Sequence, residues 1–225
     1  RLEQTEEIIY ICGAAAIAPR DTEKVRILRV TDVSDLQKTL RRVLTEEKVD
    51  GAVHCMAVSD YTVDAVTSAE FLKSRLTEGL MHIGGGSAEI SARLPALLDG
   101  CLHADGEIAA GGKISSELDD LILVLKRTPK IIDMFKALQP RMVLLGFKLL
   151  NHVTADALIE AGVQLMKRSG CDFVFANDKA EVTPERHCGY LIRPAGSFER
   201  LSGRAKIAAK IVSCVADKII REENS

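Results

Sequence analysis

Several residues that follow apolar runs are of types suited to ligand chemistry rather than to packing. Asp60 closes the run that begins at Gly51, where an acid adds nothing to a core. Gly146 lets a ligand approach the backbone, and Phe147 offers a flat face that can stack on a base or wall a pocket. Lys148 can meet a phosphate or solvent. Asn177 carries an amide that donates hydrogen bonds without adding charge, and Asp178 accepts them or caps a turn. Lys113 stands among Gly111, Gly112, Ser115 and Ser116, a setting that suits a flap closing over substrates. Each also has a plain structural reading. Asp60 suits an N-cap for a helix beginning near Asp64, Phe147 suits the core, and Lys113 suits an exposed loop.

The elements that must position these residues alternate between short apolar runs and longer helical patterns. Residues 8–12, 25–30, 121–125, 142–147 and 172–176 read as strands. Residues 51–58 form a continuous apolar run, expected of a strand covered on both faces. A helix is expected over 34–48, with Leu36, Leu40, Val43 and Leu44 on one stripe and Thr31 or Ser34 as its cap. Further helices are expected from Pro129 onward through Ile131, Ile132, Phe135 and Leu138, over 154–168 closed by Gly170, and over 202–221. Residues 189–192 suit a short extra strand.

This order predicts an α/β chain: a doubly wound, mainly parallel, Rossmann-like sheet with helices on both faces. In such sheets ligands bind beyond the C-terminal strand ends, where the residues above lie. Residues 64–112 interrupt the pattern as a helical and glycine-rich insertion, with helices near 65–80 and 92–98. The triplet Gly84-Gly85-Gly86 between them lacks phosphate-loop spacing and suits a hinge. A single domain over 1–225 is expected.

The charge is near balance, at 30 − 32 = −2, and only 4% of residues are aromatic, with no Trp. That composition argues against nucleic acid or an anionic membrane as the main partner. No run reaches the length of a membrane span, and no signal peptide is read. Cys12, Cys55, Cys101, Cys171, Cys188 and Cys214 are widely spaced and suit reduced, mostly buried thiols in the cytoplasm. In His54-Cys55 and His187-Cys188, neighbouring side chains on a strand diverge, so neither pair suits one metal.

Four motifs in order carry a family resemblance. They are His54-Cys55-Met56-Ala57-Val58-Ser59-Asp60-Tyr61; Gly112-Lys113-Ile114-Ser115-Ser116 with Arg127-Thr128-Pro129-Lys130-Ile131-Ile132; Leu145-Gly146-Phe147-Lys148-Leu149-Leu150; and Phe175-Ala176-Asn177-Asp178. Together they resemble phosphopantothenate–cysteine ligase, in its stand-alone bacterial form, over about residues 5–220. The resemblance implies an amide-forming ligase of coenzyme A biosynthesis. It implies 4′-phosphopantothenate, cysteine and a nucleotide as substrates, CTP preferred and ATP possible, with Mg²⁺ accompanying the triphosphate. It implies Lys113 and Asn177 as catalytic residues. Met56, Ala57, Asp60, Gly146, Phe147, Lys148 and Asp178 are implied to bind nucleotide or phosphopantothenate. Met56 departs from the two alanines common at these positions.

The resemblance also implies a homodimer, for which Leu72, Leu76, Leu80, Leu94 and Leu97 are candidate interface residues; packing within one subunit is the alternative. The family's front region, a strand with a Gly-Gly-Thr turn and an Ile-Ser-Asn…Ser-Ser-Gly segment, has no counterpart here. The N-terminal strand and phosphate loop are therefore expected to be absent. Two rival readings are a nicotinamide-dependent reductase and a catalytically impaired binding protein of the same fold. The reductase's G-x-G-x-x-G fingerprint is poorly replaced by Cys12-Gly13-Ala14-Ala15-Ala16.

Overall fold

A computed structural model describes residues 5–19, 23–104, 120–183 and 185–223. The chain divides into two compact units, 1–58 with 130–225, and 59–129. The expected insertion over 64–112 lies inside the second unit.

The first unit holds two sheets. Strands β1 (Ile8–Gly13) and β2 (Val25–Val30) pair in parallel. The larger sheet contains β3 (Gly51–His54), and in the second unit the chain forms β4 (Tyr61–Ser68) and β5 (Leu121–Arg127) before returning to it. Strands β6 (Val143–Leu150), β7 (Phe173–Asp178), β8 (Cys188–Ile192) and β9 (Phe198–Ser202) complete it, in the order β3-β6-β7-β8-β9. Pairings β3–β6 and β6–β7 are parallel, while β7–β8 and β8–β9 are antiparallel. The fold is thus α/β and mainly parallel, with three of the five strand pairings described in this unit parallel, β3-β6-β7 among them.

Side chains alternate between the two faces of this sheet. On one face Leu144, Val174 and Ala176 pack with Ile131, Ile132, Met134 and Phe135 of helix α4 (Ile131–Leu138) and with Leu158 and Leu165 of helix α5 (Ala155–Ser169). The same cluster takes in Val30 and helix α1 (Val33–Glu46) through Leu36, Leu40 and Leu44. On the other face Val143, Leu145, Phe173 and Phe175 pack against Ile207, Ile211 and Val215 of helix α6 (Arg204–Glu223). Helices therefore cover both faces.

Helix ends follow local chemistry. Asp32 caps α1: its carboxylate accepts from Asp35 N at 2.8 Å, and Asp35 accepts in return from Thr31 N at 3.0 Å. The cap is therefore neither Thr31 nor Ser34. Thr154 caps α5, which ends on Gly170 in the left-handed region at φ 65°.

In the second unit β4 and β5 form an antiparallel ribbon, with helices α2 (Ala69–His82) and α3 (Ser87–Leu102). The helix expected over 65–80 is corrected here. Residues 65–68 belong to β4, where β-branched Thr62, Val63, Val66 and Thr67 suit a pleated strand. Ser68 then caps α2, accepting from Phe71 N.

Two more corrections concern the central sheet. The strand expected over 51–58 ends at His54, because β3 is an edge and the chain then leaves it. Val53 is 45% exposed there, so the run is not covered on both faces. The unanticipated β9 is the other edge, rich in polar residues as edges often are.

Candidate functional site

Because β3, β6 and β7 are parallel, their C-terminal ends form one rim, the usual ligand position in such sheets. Register sets the levels: His54 lies beside Gly146, Lys148 beside Ala176, Leu149 beside Asn177, and Leu150 beside Asp178.

Alternation then sorts the candidates by face. Gly146 faces α4 and α5: a Cβ there would come within 2.9 Å of Ile132 Cδ1 and 3.1 Å of Cys171 Sγ. Its missing side chain makes room for packing within the protein. Phe147 faces the opposite way, with its ring centroid 5.4 Å from that of Phe175, in the core under α6. Lys148 is half-buried on the Gly146 face.

Asn177 and Asp178 diverge. Asn177 is 7% exposed and makes no side-chain hydrogen bond among the described residues. Asp178, equally buried, accepts from His152 N at 3.0 Å, Val153 N at 2.9 Å and Ala180 N at 2.9 Å. The Val153 N–H, then those of Ala180 and His152, hold its carboxyl below the usual 3.8, outweighing burial. Asp178 thus organises the loop after β6, where His152 sits at φ 54°. This role corresponds to the turn-capping alternative; which groups are capped could not be read from the sequence, because the donors are backbone N–H groups.

Met56 and Ala57 follow β3; Met56 packs partly against the core, while Ala57 is exposed. His54 lies with its ring centroid 5.5 Å from that of Phe135, and burial lowers its pKa below the ordinary 6.5. Burial therefore disfavours the charged form of the ring at the end of β3.

Asp60 belongs to the second unit. Its carbonyl accepts from Thr128 N at 3.0 Å, and the Thr128 hydroxyl donates to Ser59 O, closing the base of the β4–β5 ribbon. Lys113 lies outside the described residues, as do Gly111, Gly112, Ser115 and Ser116. The structure therefore gathers Met56, Ala57, Gly146, Phe147, Lys148, Asn177 and Asp178 in one unit.

All six cysteines are free. Cys12, Cys101, Cys171 and Cys188 are buried, as expected of most of them, while Cys214 is half-buried and Cys55 exposed. No group of three or more His, Cys, Asp or Glu among the described residues is arranged to hold a metal. Among them, no helix is long and apolar enough to cross a membrane.

The fold has solved counterparts. The DNA/pantothenate metabolism flavoprotein from Streptococcus pneumoniae is 24% identical, with a TM-score of 0.74, over 96% of this chain and 83% of that one. The C-terminal domain of the coenzyme A biosynthesis bifunctional protein CoaBC is 14% identical, with a TM-score of 0.56, over 97% and 76%. The chain shares their fold. A Cab2 mutant in complex with phosphopantothenate-cysteine is 16% identical, with a TM-score of 0.56, over 90% of this chain and 56% of that one.

In sequence, the coenzyme A biosynthesis bifunctional protein CoaBC of Thermococcus kodakarensis is 46% identical over 57 residues, which is 25% of this chain. The matching stretch spans 14% of that relative's length. The chain matches no protein-family model. The likeness to these proteins is thus one of fold along most of the chain and of sequence over 57 residues.

Proposed function

We propose that this chain is a phosphopantothenate–cysteine ligase domain acting in coenzyme A biosynthesis. What supports this most is one coincidence. Met56, Ala57, Lys148, Asn177 and Asp178, from three of the four motifs, lie at or just beyond the C-terminal ends of β3, β6 and β7, in a chain that overlays a pantothenate-metabolism protein over 96% of its length. The Cab2 complex adds the chemical class, since its ligand is the amide product of such a reaction.

A carboxylate is a poor acyl donor at neutral pH, so the reaction needs a leaving group. In the proposed course the phosphopantothenate carboxylate oxygen attacks the nucleotide α-phosphate and pyrophosphate leaves. The cysteine amine then attacks the acyl carbon, an amide forms, and the nucleoside monophosphate departs. The protein must hold two anions together and stabilise developing charge. Lys113 is proposed as the cation at the reacting phosphate. Asn177, whose side-chain donors are uncommitted among the described residues, is proposed to contact substrate phosphate from the rim. Met56, Ala57, Asp60, Gly146, Phe147 and Lys148 are proposed to shape the nucleotide and phosphopantothenate sites. For Asp178 we propose binding through the loop it orders. Mg²⁺ would be held mainly by phosphate oxygens and water.

CTP is the proposed nucleotide, a homodimer the proposed assembly and the cytoplasm the proposed location; free thiols suit a reducing compartment. Of the candidate interface residues, Leu80 and Leu94 are exposed, while Leu72, Leu76 and Leu97 are half-buried.

The test is incubation with phosphopantothenate, cysteine, Mg²⁺ and either CTP or ATP. Pyrophosphate and the amide are expected, faster with CTP. Oxidation of NADPH without pyrophosphate would replace this reading with the reductase. Ligand-induced thermal shift without turnover would replace it with a binding protein. Sedimentation at a single-chain mass would remove the homodimer.

A further inference from the structure

The turn that follows β1 is held in an unusual way. A single nitrogen of Arg29, Nη1, shares its two hydrogens among three carbonyls of the turn: Gly13 O at 3.0 Å, Ala14 O at 3.2 Å and Ala16 O at 2.8 Å. The Tyr10 hydroxyl donates to the next one, Ile17 O, at 3.2 Å. Ala16 N donates back to Gly13 O at 3.0 Å and closes the turn. Four carbonyls are thereby occupied by protein donors, while the Ile17 side chain is 92% exposed.

The place of this turn matters. Helix α1 runs from the end of β2 to the start of β3 over a core shared by Ile11, Val30, Ala52 and Leu144. A helix that joins two strands over one core usually joins parallel ones, which directs β2, and β1 beside it, the same way as β3. A free carbonyl oxygen is the negative end of a dipole and repels an anion. Occupying four of them removes that repulsion. Arg29 makes no ion pair among the described residues, so its permanent charge is uncompensated there.

We propose that Arg29 is a positioning residue for a phosphorylated substrate. It fixes the 13–17 turn and leaves positive charge beside it, so this part of the rim contacts a phosphate-bearing ligand. The proposal rests on the ligase reading, which names phosphopantothenate as that ligand.

The experiment compares wild type with Arg29→Lys, Arg29→Gln and Arg29→Met, using calorimetric binding of phosphopantothenate and steady-state turnover. Lysine carries three hydrogens on one nitrogen and can serve all three carbonyls, so near wild-type affinity is expected. Methionine removes both charge and donors. It should raise KM for phosphopantothenate roughly tenfold, the scale of a lost charged hydrogen bond, with kcat changed far less. Glutamine keeps donors and drops the charge; it should raise KM severalfold and serves if the Met variant does not fold. Wild-type KM in the Gln variant, or in a folded Met variant, overturns the proposal while the ligase reading survives. A wild type that neither binds nor turns over phosphopantothenate overturns both.

Discussion

The carboxylate of Asp178 accepts a hydrogen bond from the backbone N–H of Val153 at 2.9 Å, joining the end of β7 to the loop after β6. The same carboxylate holds the N–H groups of His152 and Ala180, so one side chain shapes the rim beside Asn177. Asp178→Ala leaves these donors unpartnered. The His152 and Val153 amides should then exchange with deuterium roughly tenfold faster, the scale of a lost hydrogen bond. The carboxyl ionises below 3.8 in the fold, so its contribution is complete above that pH and is lost as the pH falls below it. The protection factor of the Val153 amide in wild type, which is free of the intrinsic pH dependence of exchange, should therefore change little between pH 8 and pH 5.

How much of this was legible depended on which partner a residue uses. The α4 stripe of Ile131, Ile132 and Phe135 was readable because it repeats at the helical period, and Gly170 because a left-handed cap favours glycine. The doubly wound order followed from alternating strands and helices. The role of Arg29, and the join that Asp178 makes to His152 and Val153, were not readable, because those partners are backbone groups distant in sequence, and any residue supplies them. Asn177 and Asp178 look alike in sequence, yet alternation sends them to opposite faces. That Ile132 and Cys171 pack against Gly146 is likewise legible only in the folded sheet. The start of α2 was misplaced because Ala65 to Ser68 lack a breaker between strand and helix, leaving the Ser68 cap as the sole boundary.

Gly189 is required by close packing. A Cβ there would lie 2.4 Å from Phe175 Cζ and 2.7 Å from Ala176 O, and the latter is backbone that cannot step aside. Gly189→Ala should destabilise the fold by about 1–3 kcal/mol, the usual range for overpacking. Gly100, inside α3, meets nothing within 4 Å. Gly100→Ala should be neutral or should stabilise by about 0.5–1 kcal/mol through helix propensity. Urea melts of both variants test the contrast.

Asp172 sits where two cations converge. Lys136 Nζ lies 2.8 Å and Lys218 Nζ 3.2 Å from its carboxylate, and Leu144 N donates to it at 2.8 Å. Burial opposes ionisation, but the Lys136 hydrogen bond, the Leu144 N–H and Lys218 outweigh it, so the carboxyl ionises below 3.8. Asp172→Asn keeps the shape and removes the charge, leaving two partly buried ammonium groups with less compensation. A loss of about 1–3 kcal/mol is expected at pH 7. The gap should close as the pH falls below 3.8, where wild type loses the same charge.

Thiol reactivity should separate Cys55 from Cys171. Cys55 is exposed on the segment after β3. Cys171 is buried, and burial followed by the neighbouring Asp172 charge pushes its thiol up to about 11. The thiolate is the reactive form, so at pH 8 Cys171 is both covered and protonated. Brief native alkylation followed by peptide mass spectrometry should label Cys55 first and leave Cys171 unmodified until denaturant is added. Early labelling of Cys171 would contradict this environment.

His54 adds its own contribution to the acid side of the stability curve. Its imidazole is largely buried beside Phe135, and burial alone lowers its pKa below the 6.5 it has in an unfolded chain. Above pH 6.5 the ring is neutral in both states and nothing is lost. As the pH falls below 6.5 the unfolded chain takes up a proton that the folded ring resists, so stability declines toward the folded value. His54→Gln removes the titration and keeps a polar side chain of similar reach. The variant is expected to lose some stability at pH 8 through the missing ring contact, and then to lose less than wild type between pH 7 and pH 5. Urea midpoints at those pH values test this. Parallel curves for the two proteins would mean that His54 is solvated in the fold and that the acid sensitivity arises elsewhere.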